Sequence, residues 1–181
     1  MFGANSKNTF INVEDNLVNF CQQEYLYGFC QNSKYSFGHS SSTNTPDMSR
    51  FVCHLTEEEF NELQLNNILE DISKKHNLGD IQLLRSYINV YNMSSYLSCH
   101  TDDHEEDSIT FLYYANPSWE ADWGGETVFY DSQKQEIIKS ILPKPGRIAV
   151  FDSTIPHASR PSTINALQQK FTIAIKARKR K

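Results

Sequence analysis

The sequence has no CxxC pair, no Pro/Gly/Ser-rich linker, and no apolar run near the roughly 18 to 20 residues that a membrane span requires. Each absence removes a class of protein. The four cysteines, Cys21, Cys30, Cys53 and Cys99, are scattered, which argues against a structural zinc knuckle and against a disulfide framework. They read as reduced thiols. The first segment, MFGANSKNTF, carries neither the basic nor the apolar stretch of a cleaved signal, so the expected location is the cytoplasm, with no membrane partner. A basic surplus is also missing. The formal charge is −5, and because the last six residues, KARKRK, carry +5, the preceding 175 carry −10. A core of that sign suits nucleic acid poorly, and only the tail, read as a solvated, frayed end over residues 177–181, offers RNA or an acidic partner a contact.

What is present points to one domain over residues 1–181: a chain of this length, 39% hydrophobic and 22% charged, buries one core and is short for two. Its pattern changes near residue 80. Before that the signal is helical, in VEDNLVNFCQQEYLYGF and again in LTEEEFNELQLNNILEDISKKHNLG, where Thr56 is the expected start cap and Gly79 the end. Phe60, Leu63, Ile68 and Ile72 share a stripe, so this second helix should cover something flat. Between the two helical stretches, HSSSTNTPD reads as a polar loop. From 81 to 176 come short runs rich in β-branched and aromatic residues, IQLLRSYINVY, SITFLYY, ETVFYD, IIKSILP, GRIAVFD and KFTIAIKA, separated by turn residues. Helices precede strands instead of alternating with them. That order predicts a mainly β, α+β fold: a jelly roll with N-terminal helices packed on one face.

The chemistry centres on YLSCHTDDHEED. On an extended backbone His100 and Asp102 point to one side and Thr101 to the other. His157 follows the later strand RIAVF. Two imidazoles and one carboxylate from separate strands make a facial triad that leaves one face of an octahedral metal open. Cys99 has the opposite parity and reads as a buried thiol, while Asp103, His104, Glu105, Glu106 and Asp107 read as an acidic rim. In the last strand Lys170, Thr172 and Ala174 share one face and Phe171, Ile173 and Ile175 the other, so an inward-facing cation needs an anion. Tyr87, Asn89 and Tyr91 likewise share a face of the first core strand.

Taken with GGETVFYD, PKPGRIAVFD and KFTIAIK, these residues resemble the Fe(II)- and 2-oxoglutarate-dependent dioxygenases, in particular the prolyl 4-hydroxylase-like family, over roughly residues 81–176. The resemblance implies a double-stranded β-helix in which His100, Asp102 and His157 hold Fe(II) and Lys170 pairs with the distal carboxylate of 2-oxoglutarate. Many relatives use arginine there, so a point charge replaces a bidentate fork. Tyr87 or Tyr91 would add a hydroxyl, the spacing leaving both open, and Arg160 and Trp123 are candidate substrate contacts. The implied activity is hydroxylation of a C–H bond, foremost in a prolyl residue of a peptide or protein, converting 2-oxoglutarate and O2 to succinate and CO2, with ascorbate as reductant. Alternatives are a free amino acid or small metabolite as substrate, or a metal-holding barrel without turnover.

Overall fold

The computed structural model describes residues 10–39, 50–93, 95 and 97–180. The chain runs β1 (Ile11–Glu14), α1 (Phe20–Asn32), β2 (Ser36–His39), β3 (Arg50–His54), α2 (Glu57–Glu62) and α3 (Leu65–Lys75) before the β core. That core comprises β4 (Ile81–Tyr91), β5 (Leu97–His100), β6 (Ser108–Tyr114), β7 (Thr127–Tyr130), β8 (Ile137–Ile141), β9 (Ile148–Asp152), β10 (His157–Ser159) and β11 (Lys170–Lys179). It is the expected jelly roll. A seven-stranded sheet in the order β1-β9-β6-β11-β4-β3-β2 faces a four-stranded sheet in the order β5-β10-β7-β8, with every pair antiparallel.

The alternation of side chains along β11 builds two layers from one strand. Phe171, Ile173 and Ile175 turn outward and pack with Ile88 and Val90 under Leu26, Cys30, Leu63 and Ile72 of the helical layer. Inward, between the sheets, Tyr114, Phe129, Phe151 and Ile155 form a second cluster at one end. The remainder of the inward face mixes polar side chains with a few apolar ones such as Leu112 and Ala174. Truncating a fully buried residue of the helical layer, such as Leu26 or Ile72 to alanine, costs roughly 2–5 kcal/mol in transfer and cavity terms.

Three sequence expectations need correction here. The segment before residue 80 is not wholly helical: β1 pairs with β9, β3 with β4 and β2 with β3, which widens the large sheet at both edges. Such partners are distant in sequence, so local periodicity does not register them. The second helical stretch is two helices, because Gln64 adopts a left-handed φ of 55°, which lets Leu63 and Leu65 on either side both enter the core. Its start is as expected, a capping box between Thr56 and Glu59, but its end is His76, and Gly79, at φ 80°, lies in the turn into β4. The tail is not frayed through residue 180. β11 continues to Lys179, Ala177 is fully buried, and Arg178 and Arg180 pair with Asp103 and Asp80. Most of the polar loop HSSSTNTPD, the first nine residues and Lys181 lie outside the described residues.

Candidate active site

The antiparallel register of β5 against β10 places His100 directly opposite His157, with ring centroids 4.4 Å apart. Asp102 follows β5 in a turn anchored by its own amide, which donates to the Ser153 carbonyl at 2.9 Å. His100, Asp102 and His157 thereby bring one ligand atom each within 4.8 Å of one another. The imidazoles are held alike: Nδ1 of His100 lies 2.7 Å from the Ser98 carbonyl and Nδ1 of His157 lies 2.9 Å from that of Ile155. A proton held on each Nδ1 leaves both Nε2 lone pairs for a metal. Those Nε2 atoms stand 3.6 and 3.4 Å from the Asp102 carboxylate.

Electrostatics prepares two of these groups, Asp102 and His157. Burial alone would raise the Asp102 carboxyl, but the Lys176 ammonium paired with Oδ2, together with His157 and His100, holds it well below the usual range. It is anionic at neutral pH. Burial also pushes His157 down to about 4, against the pull of Asp102, so its imidazole is neutral. Two imidazole nitrogens and one carboxylate oxygen are a donor set that suits Fe(II), and the residues fit that metal.

At the other end of the inward face lies Lys170, 1% exposed. Its Nζ donates to the Gly125 carbonyl at 2.7 Å, Ser159 Oγ at 2.8 Å and the Arg160 carbonyl at 3.3 Å, and sits 4.6 Å from the centre of the Tyr91 ring. Burial lowers it to about 7, with Glu126 opposing. The second glycine of GGET makes room for it. Gly125 has φ 77°, and a Cβ there would come within 3.2 Å of Lys170 Cδ and Trp119 Cζ2. A buried ammonium surrounded by uncharged oxygens suits a carboxylate ligand.

A cavity of about 40 Å³ runs along the triad and both tyrosines. Tyr91 is paired across the sheet with Lys170, and Tyr87 with Ala174. The spacing had left these two equivalent; the register sets Tyr91 beside the ammonium. The remaining candidates stand elsewhere. Arg160 is exposed and donates to the Tyr130 hydroxyl at 3.0 Å, reaching Lys170 only through its carbonyl. Trp123 is buried edge-on against Trp119, 5.3 Å between centroids, and neither Arg160 nor Trp123 lines the cavity. Within the acidic stretch Asp103 builds the turn. Although burial would raise it, hydrogen bonds from Ser108, the His104 and Glu105 amides and Arg178 take it to about 2. His104, Glu105 and Glu106 are exposed, as a rim requires, and Cys99 is half-buried where a buried thiol was expected.

Lys176, Thr110 and Arg50 are among the cavity residues that the sequence did not single out. Lys176 shares the parity of Lys170, Thr172 and Ala174, so carrying that face one step further would have found it. Thr110 donates to Asp102 Oδ2 from the adjoining strand, and Arg50 lines the cavity from β3. Both depend on long-range strand pairing that no local spacing signals.

With this geometry in view, the similarities to known proteins take on specific meaning. Residues 86–175 match the 2OG-Fe(II) oxygenase superfamily, and the chain belongs to it. Fe(II) and 2-oxoglutarate are the metal and co-substrate of that superfamily, and the grouping of His100, Asp102 and His157 fits the metal. Among curated relatives, the prolyl 3-hydroxylase OGFOD1 of Mus musculus is 35% identical over 66 residues, a stretch that covers 34% of this chain and only 12% of the mouse protein. A prolyl-4-hydroxylase of Pseudomonas putida shares the fold with a TM-score of 0.72 at 14% identity, covering 96% of this chain and 95% of its own. The prolyl hydroxylase of Trichoplax adhaerens, solved with a peptide fragment of the hypoxia inducible factor oxygen degradation domain, gives 0.69 at 17% identity, with 93% and 83% covered. The collagen prolyl hydroxylase of Paramecium Bursaria Chlorella virus-1, solved with 2-oxoglutarate, gives 0.65 at 17% identity, with 96% and 98% covered.

Proposed function

We propose that this oxygenase hydroxylates a ring carbon of a prolyl residue in a peptide or protein, consuming O2 and 2-oxoglutarate and releasing succinate and CO2. The observation that carries the reading is the continuity of one cavity from the His100, Asp102 and His157 triad to Tyr91, beside buried Lys170. The named prolyl hydroxylases among the relatives support the choice of substrate.

The bound metal and co-substrate supply the oxidising power for an unactivated C–H bond. The chain supplies placement. His100 and His157, fixed through Nδ1, and Asp102, fixed through Thr110, would hold the metal with one face open. Lys170 would take the distal carboxylate of 2-oxoglutarate and Tyr91 would add its hydroxyl. Leu112, Ala174 and Phe151 close the cavity wall with apolar surface that keeps water off the reacting centre.

The test begins without oxygen. Adding Fe(II) and 2-oxoglutarate to the protein should produce a weak visible charge-transfer band that Asp102→Ala lacks. Admitting air with proline-containing peptides should then give a one-oxygen mass gain matched by succinate. A band that persists in Asp102→Ala refutes the triad; a band in the parent protein without oxygen transfer to any prolyl peptide refutes the substrate.

A further inference from the structure

Arg50, the first residue of β3, is 7% exposed yet only partly satisfied. Its Nε donates to Asn89 Oδ1 at 2.9 Å, and Asn89 in turn approaches Thr172 Oγ1 at 3.4 Å, so the guanidinium is oriented by two successive inward-facing residues of β4 and β11. Among the described residues its Nη1 is buried without a hydrogen-bond partner. A buried donor left without an acceptor costs free energy that a bound oxygen would restore. The guanidinium lines the same cavity as the metal triad.

Strand register locates the open donor. Phe51 pairs with Val90 and Lys170 with Tyr91, so Arg50 and Lys170 come from the strands on opposite sides of Tyr91. Lys170 already donates to three oxygens of the chain and would also hold the co-substrate, whereas among the described residues Arg50 brings an unused N–H to the cavity. The balance of charge agrees. A divalent metal and dianionic 2-oxoglutarate add nothing net, and Lys176 is matched by Asp102. Among the described residues the charges of Lys170 and Arg50 are then left over, so the loaded cavity stays net positive and favours an anionic ligand over a neutral one.

We propose that Arg50 is the substrate anchor of this site: its free guanidinium N–H binds a carboxylate that the substrate carries close to the carbon to be hydroxylated. This rests on the oxygenase reading above and narrows its substrate class. The carboxylate has two sources, the free α-carboxylate of an amino acid or chain end, or the side chain of an acidic residue beside the oxidised one. Asn89 and Thr172 act as positioning residues for the fork.

Calorimetric titration of protein loaded with Mn(II) and 2-oxoglutarate tests this without turnover. The probes are N-acetylproline against N-acetylprolinamide for the free carboxylate, and N-acetyl-Pro-Asp-amide against N-acetyl-Pro-Asn-amide for the side chain, with the same four made with leucine for proline. In at least one pair the carboxylate should bind roughly tenfold more tightly than its amide, and Arg50→Gln should erase the difference. The affinity for 2-oxoglutarate, read from the anaerobic Fe(II) charge-transfer band, should stay within about twofold, since the arginine is assigned to the substrate. Arg50→Lys keeps the charge and loses the fork, so it should retain part of the preference, and it carries the test if the glutamine variant fails to fold. The responding pair identifies the source. A preference confined to the leucine series would uphold Arg50 and sink the prolyl reading. No preference in any pair, or one that survives both substitutions, overturns the proposal. So does a tenfold or greater loss of 2-oxoglutarate affinity in Arg50→Gln, which would move Arg50 to the co-substrate.

Discussion

Thr110 donates its hydroxyl hydrogen to Asp102 Oδ2 at 2.7 Å and meets Ser153 Oγ at 2.9 Å, so the metal-binding carboxylate is fixed from β6 and from the turn after β9 together. Removing that hydroxyl frees the carboxylate to rotate away from the two histidines. Thr110→Val should weaken Mn(II) or Co(II) binding by about 10- to 100-fold with little change in fold. Unchanged metal affinity would mean that Lys176 and the backbone suffice to hold Asp102.

Lys176 has the opposite influence on the same carboxylate. Its ammonium neutralises buried Asp102 but also competes electrostatically with a divalent ion. Lys176→Met should tighten Mn(II) binding by about tenfold and lower the melting temperature of metal-free protein, the buried carboxylate having lost its counter-ion. Weaker metal binding in a folded variant would show that the ammonium supports the ligand instead of opposing the ion.

Lys170 gives the site a dependence on pH. Its folded value, about 7, lies below its ordinary 10.5, so between those values the unfolded chain binds the additional proton and stability rises with pH. Denaturant titrations across that window should show the rise, and Lys170→Met should lack it. Affinity for 2-oxoglutarate should run the other way, near its maximum below pH 7 and falling above it by up to about tenfold per pH unit as the ammonium loses its proton. A flat affinity profile would exclude Lys170 as the anchor.

The glycine behind that ammonium is equally exposed to test. Gly125→Ala places a methyl group 3.2 Å from Lys170 Cδ at a backbone angle that L residues rarely adopt. Stability should fall by about 1–3 kcal/mol, and 2-oxoglutarate binding should weaken as Lys170 is pushed from its pocket. Urea denaturation and the charge-transfer titration read the two effects separately, and a neutral substitution would show that the loop yields at no cost.

The metal half of the site was legible because it is written in short-range parity: His100 and Asp102 two apart, His157 at the head of a later strand. The inward, buried placement of Lys170 was legible for the same reason, its neighbours alternating between core and cavity, while its part in binding is a proposal. Arg50 was not, because its place beside Tyr91 depends on β3 pairing with a strand some forty residues later in the chain. The same long reach hid β1, whose partner is β9. Gln64 illustrates a different limit: a helical pattern continues through it, and only the burial of Leu63 and Leu65 together makes the break favourable. Arg160 was placed by its closeness in sequence to His157 and Trp123 as an aromatic in the loop before GGET, but the turns after β10 and before β7 carry them out of the cavity.

β11 carries Lys170 and Lys176 on one face, about 20 Å apart along the strand at the usual rise per residue. It runs between β4 and β6, so its hydrogen-bond ladder fixes both ammonium groups with respect to every other part of the site. A slip of one residue would turn both lysines under the helices and bring Phe171, Ile173 and Ile175 into the cavity. The apolar layer would then hold two unpaired charges while the iron and 2-oxoglutarate ends were spoiled together. A misthreaded molecule is thus excluded by its own core, and the partner of Asp102 and the proposed 2-oxoglutarate anchor both depend on the alignment of a single strand.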